Sequence, residues 1–304
     1  LMRPTAGEIA GALGAALRSG GWWRCRCPVH DGRGASLALR DGERGLIVKC
    51  FAGCDPHDIL AELRRRQLIE GPCGPQHRPQ PIPAGARTDD DAHRIAAARR
   101  IWDAARDARG TPVAAYLVGR AITMPPPSSL RWAPRCWHRE ARANLPAMVA
   151  AIVDAAGELI GVHRTYLRPD GSGKAGVERP KAMLGRAAGG AVRLAPACET
   201  LTVAEGIETA LAAMQATAMP AWAALSTSGL VTLVLPPMVS TIVILADHDR
   251  NGAGERAARA AAQRWLAEGR RVRLAMPAEP GTDFNDVLLG RAHARIEEAR
   301  DVAA

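Results

Sequence analysis

From Leu201 onward the chain alternates short apolar runs with helical patterns, and this alternation narrows the folds open to it more than any other feature. Residues 201–204, 221–225, 241–246 and 271–275 read as strands, with helices over 207–216 and 252–268 between them. Repetition of this kind builds a mostly parallel sheet with helices on its faces. In such sheets, sites form outside the carboxyl ends of the strands. Two of these strands end in acids: Thr202-Val203-Ala204 runs into Glu205-Gly206, and Ile242-Val243-Ile244-Leu245-Ala246 into Asp247-His248-Asp249. Apolar strands have no packing reason to end this way. Carboxylates that converge repel one another unless a cation sits among them, and hard oxygen ligands suit Mg²⁺ or Mn²⁺, ions that bridge phosphates. The alternative is a set of solvated loop acids. His248 is turned away from its two neighbours by strand alternation and is not expected to be a ligand.

A second constellation lies near the N-terminus. Cys27-Pro28-Val29-His30 and Cys50-Phe51-Ala52-Gly53-Cys54 supply three thiolates and an imidazole from two tight turns. The strands 36–40 and 45–49, turning at Asp41-Gly42, join them as a hairpin. This is the ligand set of a closed tetrahedral site for one structural Zn²⁺, which folds a module too small to bury a core. Cys25 could replace Cys27 only by lengthening the first turn. Cys73, Cys136 and Cys198 stand alone. A helix over 6–18 is expected behind the capping box Thr5-Ala6-Gly7-Glu8, and another over 59–67 behind Asp55-Pro56-His57-Asp58. Trp22, Trp23, Arg24, Arg26 and Arg33 could stack on bases and hold phosphates. Equally, the two Trp could pack the ribbon against the next domain.

Residues 71–88, dense in Pro and Gly, read as a linker. A basic helix over 92–109 and a short helix over 112–120 follow, then a break at Pro125-Pro126-Pro127. A hairpin over 147–167 turns at Asp154-Ala155-Ala156-Gly157, and its second strand leads His163, Arg164 and Arg168 toward Gly171-Ser172-Gly173-Lys174 and Pro180-Lys181. The net charge of +9 over 304 residues is unevenly spread. Residues 1–70 hold 11 basic and 8 acidic side chains, 71–200 hold 19 and 11, and 201–304 hold 10 and 12. Excess cation over the first two-thirds suggests a polyanionic partner. No apolar run approaches the ~20 residues that cross a bilayer, which excludes a membrane-spanning reading. The first residues lack the pattern of a signal peptide, so the cytoplasm is the expected compartment.

The cysteine and histidine spacing resembles the zinc ribbon of bacterial and phage-type DNA primases. Three residues between Cys50 and Cys54 are similar to the variant found in primase-like proteins of phages, plasmids and mobile elements. The Glu205-Gly206 and Asp247-x-Asp249 elements resemble the Toprim domain over about 199–290. Together these imply an α/β chain with an N-terminal zinc ribbon (1–70), a linker (71–91), a mixed α+β middle region (92–198) and a Toprim domain with a Rossmann-like, mostly parallel sheet (199–304). The resemblance implies a primase, a nucleotidyltransferase that makes short primers on single-stranded DNA from nucleoside triphosphates. Glu205, Asp247 and Asp249 would hold a catalytic Mg²⁺ or Mn²⁺, and Cys27, His30, Cys50 and Cys54 the zinc. Glu208 is either an outer acid of that metal site or a surface helix acid. Asp283, Asn285 and Asp286 match a late acidic element of the family, although Asp283 could equally cap a helix over 285–289. Ser226-Thr227-Ser228-Gly229 offers hydroxyls to a phosphate or is an ordinary turn. Arg164, Arg168, Lys174 and Lys181 are candidates for nucleotide or template contacts. No G-x4-G-K-[ST] loop occurs, so a replicative helicase would be a separate protein. A Toprim nuclease and a non-catalytic zinc-ribbon DNA-binding factor are the alternatives.

Overall fold

The computed structural model describes residues 4–14, 16–19, 21–29, 34–42, 45–51, 54, 56–69, 89–248, 252–279, 281–282, 284–290 and 293–299. The chain divides into two compact units, Leu1–Ala86 and Arg87–Ala304.

The first unit runs α1 (Ala6–Leu13), β1 (Leu17–Ser19), β2 (Trp22–Cys25), β3 (Leu37–Gly42), β4 (Gly45–Cys50) and α2 (Pro56–Arg65). The four strands pair antiparallel in sequence order. Thr5 and Glu8 form the expected capping box, and Asp41 Oδ1 accepts the Ala6 N–H at 2.8 Å. The helix stops at Leu13, short of the expected Arg18. Gly14 takes φ 78°, a region closed to most side chains, and ends the helix with its N–H on Gly11 O. Residues 17–19 are then released to pair with Trp22–Cys25 across Gly21, φ 77°. Ile9, Leu13, Leu37, Leu39, Ile59 and Leu63 form a small core with Cys25, Cys27 and Cys50.

The second unit opens with α3 (Asp89–Ala104), β5 (Arg106–Asp107), α4 (Pro112–Gly119), β6 (Leu130–His138), β7 (Ala143–Val153), β8 (Leu159–Tyr166) and β9 (Lys181–Gly185). Strands β5 to β9 make an antiparallel meander in chain order. The first helix ends five residues before the expected Arg109, where Arg106 and Asp107 pair with β6 instead. Strand β6, unmarked in the sequence, carries Pro134 inside a register shift between Ala133 and Cys136, where no ladder N–H is required.

There follow β10 (Val192–Arg193), β11 (Thr200–Ala204), α5 (Ile207–Thr217), β12 (Ala221–Ala223), α6 (Thr227–Thr232), β13 (Thr241–Leu245), α7 (Ala253–Ala267), β14 (Arg271–Pro277), α8 (Phe284–Leu288) and β15 (Ala294–Glu298). The six-stranded sheet has the order β10-β12-β11-β13-β14-β15, with four parallel strands between two antiparallel edges. Strand alternation buries both faces: Ile242 and Ile244 meet Ala258, Ala261 and Trp265 of α7, while Val243 and Leu245 share a core with Ile207 and Leu211 of α5. That second core continues through Tyr116 and Leu117 of α4 and Met148 and Ile152 of β7. The expected division at 198/199 therefore runs through one hydrophobic core. The expected linker, 71–88, lies outside the described residues. At the outer edge, Glu297 and Glu298 of β15 pair with Arg259 (3.0 Å) and Arg273 (2.6 Å). No helix among the described residues is long and apolar enough to cross a membrane.

Candidate active site and metal cluster

In the first unit, β4 carries Cys50 back beside the chain that leaves β2, since Leu37 pairs with both Cys25 and Cys50. The sulfurs of Cys27, Cys50 and Cys54 all lie within 4.8 Å of one another. Zn–S bonds of ~2.3 Å in a tetrahedron need sulfurs about 4 Å apart, so the three thiols fit a zinc ion. His30 and Arg33 lie outside the described residues. Cys25 is fully buried but stands apart from this cluster, and burial pushes its thiol up to about 11, against a smaller opposing effect of Arg24. It is a core thiol. Cys136 is buried in the meander, Cys198 is exposed and Cys73 lies outside the described residues. Trp23 packs onto α1, where a Cβ on Gly7 would approach its ring to 3.0 Å. Trp22 lies under Arg40, 4.7 Å from guanidinium to ring centroid, and Arg24 sits 4.0 Å over Phe51. Arg26 is exposed.

In the second unit, Ala204 stands opposite Leu245 in the parallel register of β11 and β13. Glu205 and Asp247 thus leave neighbouring strands at the same end, and both are half-buried. Two glycines bring helices up to these ends. Gly206 starts α5 without a side-chain cap, and a Cβ on Gly254 in α7 would lie 2.8 Å from Asp247 O. Asp249 and Asn251 lie outside the described residues. The half-buried pair and the close helix starts fit a divalent cation at this strand end: two carboxylates would hold it, with helix N-termini favouring the anionic ligands it carries. His248 turns away, its Nδ1 donating to Pro277 O at 2.8 Å. Ser226 Oγ accepts the Gly229 N–H at 2.9 Å and caps the six-residue α6, so the Ser-Thr-Ser-Gly stretch is a helix start. Asp286 is in the first turn of α8, which packs on α5 and β14. Asp283 and the side chain of Asn285 lie outside the described residues.

Glu208 is neither at the surface nor open. Placed in the first turn of α5, it is 6% exposed. Its Oε1 accepts the Tyr116 hydroxyl at 2.7 Å and lies 4.0 Å from Lys174 Nζ, while Oε2 accepts from Lys181 Nζ at 3.1 Å. Burial alone would raise this carboxyl. The Lys181 ammonium, the Tyr116 hydroxyl, a backbone bond and Lys174 outweigh it and bring the group down to about 2. Tyr116 is pushed upward by its own burial and by the Glu208 charge. The structure thus joins two lysines singled out in the sequence to an acid and a tyrosine that were not linked to them. Nothing in the sequence marks Tyr116, since it stands 92 residues from Glu208. Arg164 is spent differently, reaching the carbonyls of Trp137 (3.4 Å) and Met183 (3.5 Å) across the meander. Arg168 is exposed at the base of the loop closed by its N–H on Gly173 O.

Residues 200–294 match the family model of the Toprim domain, and residues 92–194 match that of a domain of unknown function (DUF7146). No curated protein matches the chain in sequence. Among solved structures, the chain is similar to a DnaG primase catalytic domain bound to single-stranded DNA, at 15% identity over 66% of this chain and 79% of that one, TM-score 0.47. It is also similar to a DNA primase domain from Pseudomonas aeruginosa, at 17% identity over 66% and 75%, TM-score 0.44. A third is the zinc-binding and RNA polymerase domains of the Aquifex aeolicus primase, at 14% identity over 94% and 83%, TM-score 0.40.

Proposed function

We propose that this chain, which carries a Toprim domain over residues 200–294 behind an N-terminal cysteine cluster, is a primase-like nucleotidyltransferase acting on single-stranded DNA. The observation that carries the reading is the register that brings Glu205 and Asp247 to the same end of two adjacent parallel strands. Glu205, Asp247 and Asp249 would hold Mg²⁺ or Mn²⁺, and Asp286, with Asp283 and Asn285, would lie near it. The metal would supply charge neutralisation for the triphosphate. The chain's own part is to orient. Strand ends fix the carboxylates, the starts of α5 and α7 present N–H groups and positive dipole ends, and Lys174 and Lys181 add cations. In the reaction a ribose 3′-hydroxyl oxygen bonds to the α-phosphorus of the incoming nucleotide, the bond to the bridging α–β oxygen breaks, pyrophosphate leaves and the hydroxyl proton passes to water.

In the first unit, Cys27, Cys50 and Cys54 with His30 would hold zinc, and the half-buried Trp22 and Arg24 with the exposed Phe51 would meet template DNA. The middle region, residues 92–198, where basic residues outnumber acidic ones by ten, would track the backbone. Arg168 belongs to that surface; Arg164 would serve the sheet. A replicative helicase would be a separate partner. The test is primer synthesis by purified protein with Mg²⁺ or Mn²⁺, nucleoside triphosphates and single-stranded DNA. Wild type makes oligonucleotides, and Asp247→Ala lowers the rate at least about 100-fold. Strand nicking that depends on Asp247, with no oligonucleotide product, would replace primase by nuclease. Absence of both reactions would leave a DNA-binding factor.

A further inference from the structure

Glu208 lies one helical turn beyond Glu205, where an acid invites assignment to the metal. Its surroundings argue otherwise. Tyr116 and Lys174 face one oxygen and Lys181 the other, at 2.7, 4.0 and 3.1 Å. A carboxylate so engaged has its lone pairs directed at protein donors. The exposures are ordered as well: the Glu208 side chain is 8% accessible, whereas those of Lys174 and Lys181 are 38% and 39%. The anion lies beneath, and the two lysine side chains that reach it are partly open to solvent. Two cations over one anion leave a net positive charge. This charge sits beside the metal-site strand end, because a Cβ on Gly206 would lie 3.9 Å from Glu208 Oε2.

The lysines arrive by separate routes, Lys181 at the start of β9 and Lys174 from the loop that Gly171 turns at φ 73°. That loop is pressed onto α4, since a Cβ on Gly171 would come within 2.3 Å of Pro112 O. The same helix supplies Tyr116. We propose that Glu208 and Tyr116 are positioning residues, a buried anchor that holds Lys174 and Lys181 at the rim of the carboxylate site to receive the β- and γ-phosphates of the nucleotide. The assignment deepens the primase reading and rests on it for the identity of the ligand. It places Glu208 outside the metal's coordination.

Two probes separate these roles on the full chain: Mn²⁺ alone, titrated by electron paramagnetic resonance, and inorganic tripolyphosphate with saturating Mg²⁺, titrated by calorimetry. Glu208→Gln is expected to leave Mn²⁺ affinity within about twofold and to weaken tripolyphosphate about tenfold, the order for charge-assisted contacts that lose their anchor. Tyr116→Phe, which removes only the hydroxyl, shifts tripolyphosphate the same way by less, and keeps the test open should Glu208→Gln fail to fold. Glu205→Gln gives the opposite pattern, with Mn²⁺ weakened first. Because the acid acts through the lysines, Glu208→Gln combined with Lys181→Ala and Lys174→Ala binds tripolyphosphate no worse than the lysine pair alone. The assignment is overturned if Glu208→Gln weakens Mn²⁺ as much as Glu205→Gln does. It is overturned equally if tripolyphosphate affinity stays at the wild-type value, or if the combined losses multiply. Should wild type show the expected pattern yet make no primers, nucleotidyl transfer falls while the anchor stands.

Discussion

His163 sits on β8, 7% exposed, with Lys181 of β9, Lys174 of the loop between β8 and β9, Glu208 of α5 and its neighbour Arg164 around it. Burial first, then the nearby Lys181, push its imidazole down to about 4, with Glu208 opposing. The unfolded chain takes up this proton near pH 6.5, before the folded one does. Stability is therefore full above about pH 6.5 and falls as pH drops toward 4, by at most ~1.4 kcal/mol per unit. Glu208 loses its contribution lower, between 4.5 and its folded value of about 2, so the two windows separate. Urea unfolding at pH 7, 5.5 and 4.5 checks this: His163→Gln should flatten the pH dependence over that range, and a slope identical to wild type would show that another group carries it. At this scale the sequence was legible where a residue interrupts a pattern. Glu205 and Asp247 stand out because each follows an apolar run. The contact between Tyr116 and Glu208 interrupts nothing local, and only the core shared by α4 and α5 creates it.

Elements show the same contrast. The cysteine hairpin could be read because ligand spacing and turn chemistry are local. The end of α1 was misplaced because Gly14 stops the helix while the Ala and Leu beyond it favour continuation. Strands β6 and β9 were missed because Pro134 and the bulge mask one, and the other is five residues long with Gly185 at φ 91° against Ile160 O. The four-stranded sheet of the first unit has few large apolar side chains under it, and a core that small supplies only a few kcal/mol. A structural zinc contributes roughly 10 kcal/mol or more at neutral pH. Chelation, or Cys50→Ser, should thus unfold the first unit and leave the second folded. Amide exchange followed by mass spectrometry would report loss of protection over residues 17–50 with no change over 200–277; protection that survives chelation would remove the metal from the folding argument.

For the whole molecule, the useful boundary is the one between the two units. A chain of residues 87–304 keeps the core that joins Met148 and Ile152 to Ile207 and Leu211. It should unfold cooperatively, with a midpoint within about 5 °C of the second unit's in the full chain. A chain of 199–304 exposes the face of α5 that packs there and should aggregate or melt without cooperativity, which scanning calorimetry and light scattering would reveal. The Toprim-like segment was legible from its strand and helix rhythm, but its dependence on the meander was not. That dependence is written in side chains dispersed over ~100 residues, with no motif of their own. The outer edge of the same sheet has another consequence. Strand β15 presents Glu297 and Glu298 already clasped by Arg259 and Arg273. An incoming strand from a second molecule would have to set its own side chains beside these charges, which disfavours its addition to the ladder. A charged edge of this kind works against the templating from which fibrous aggregates grow.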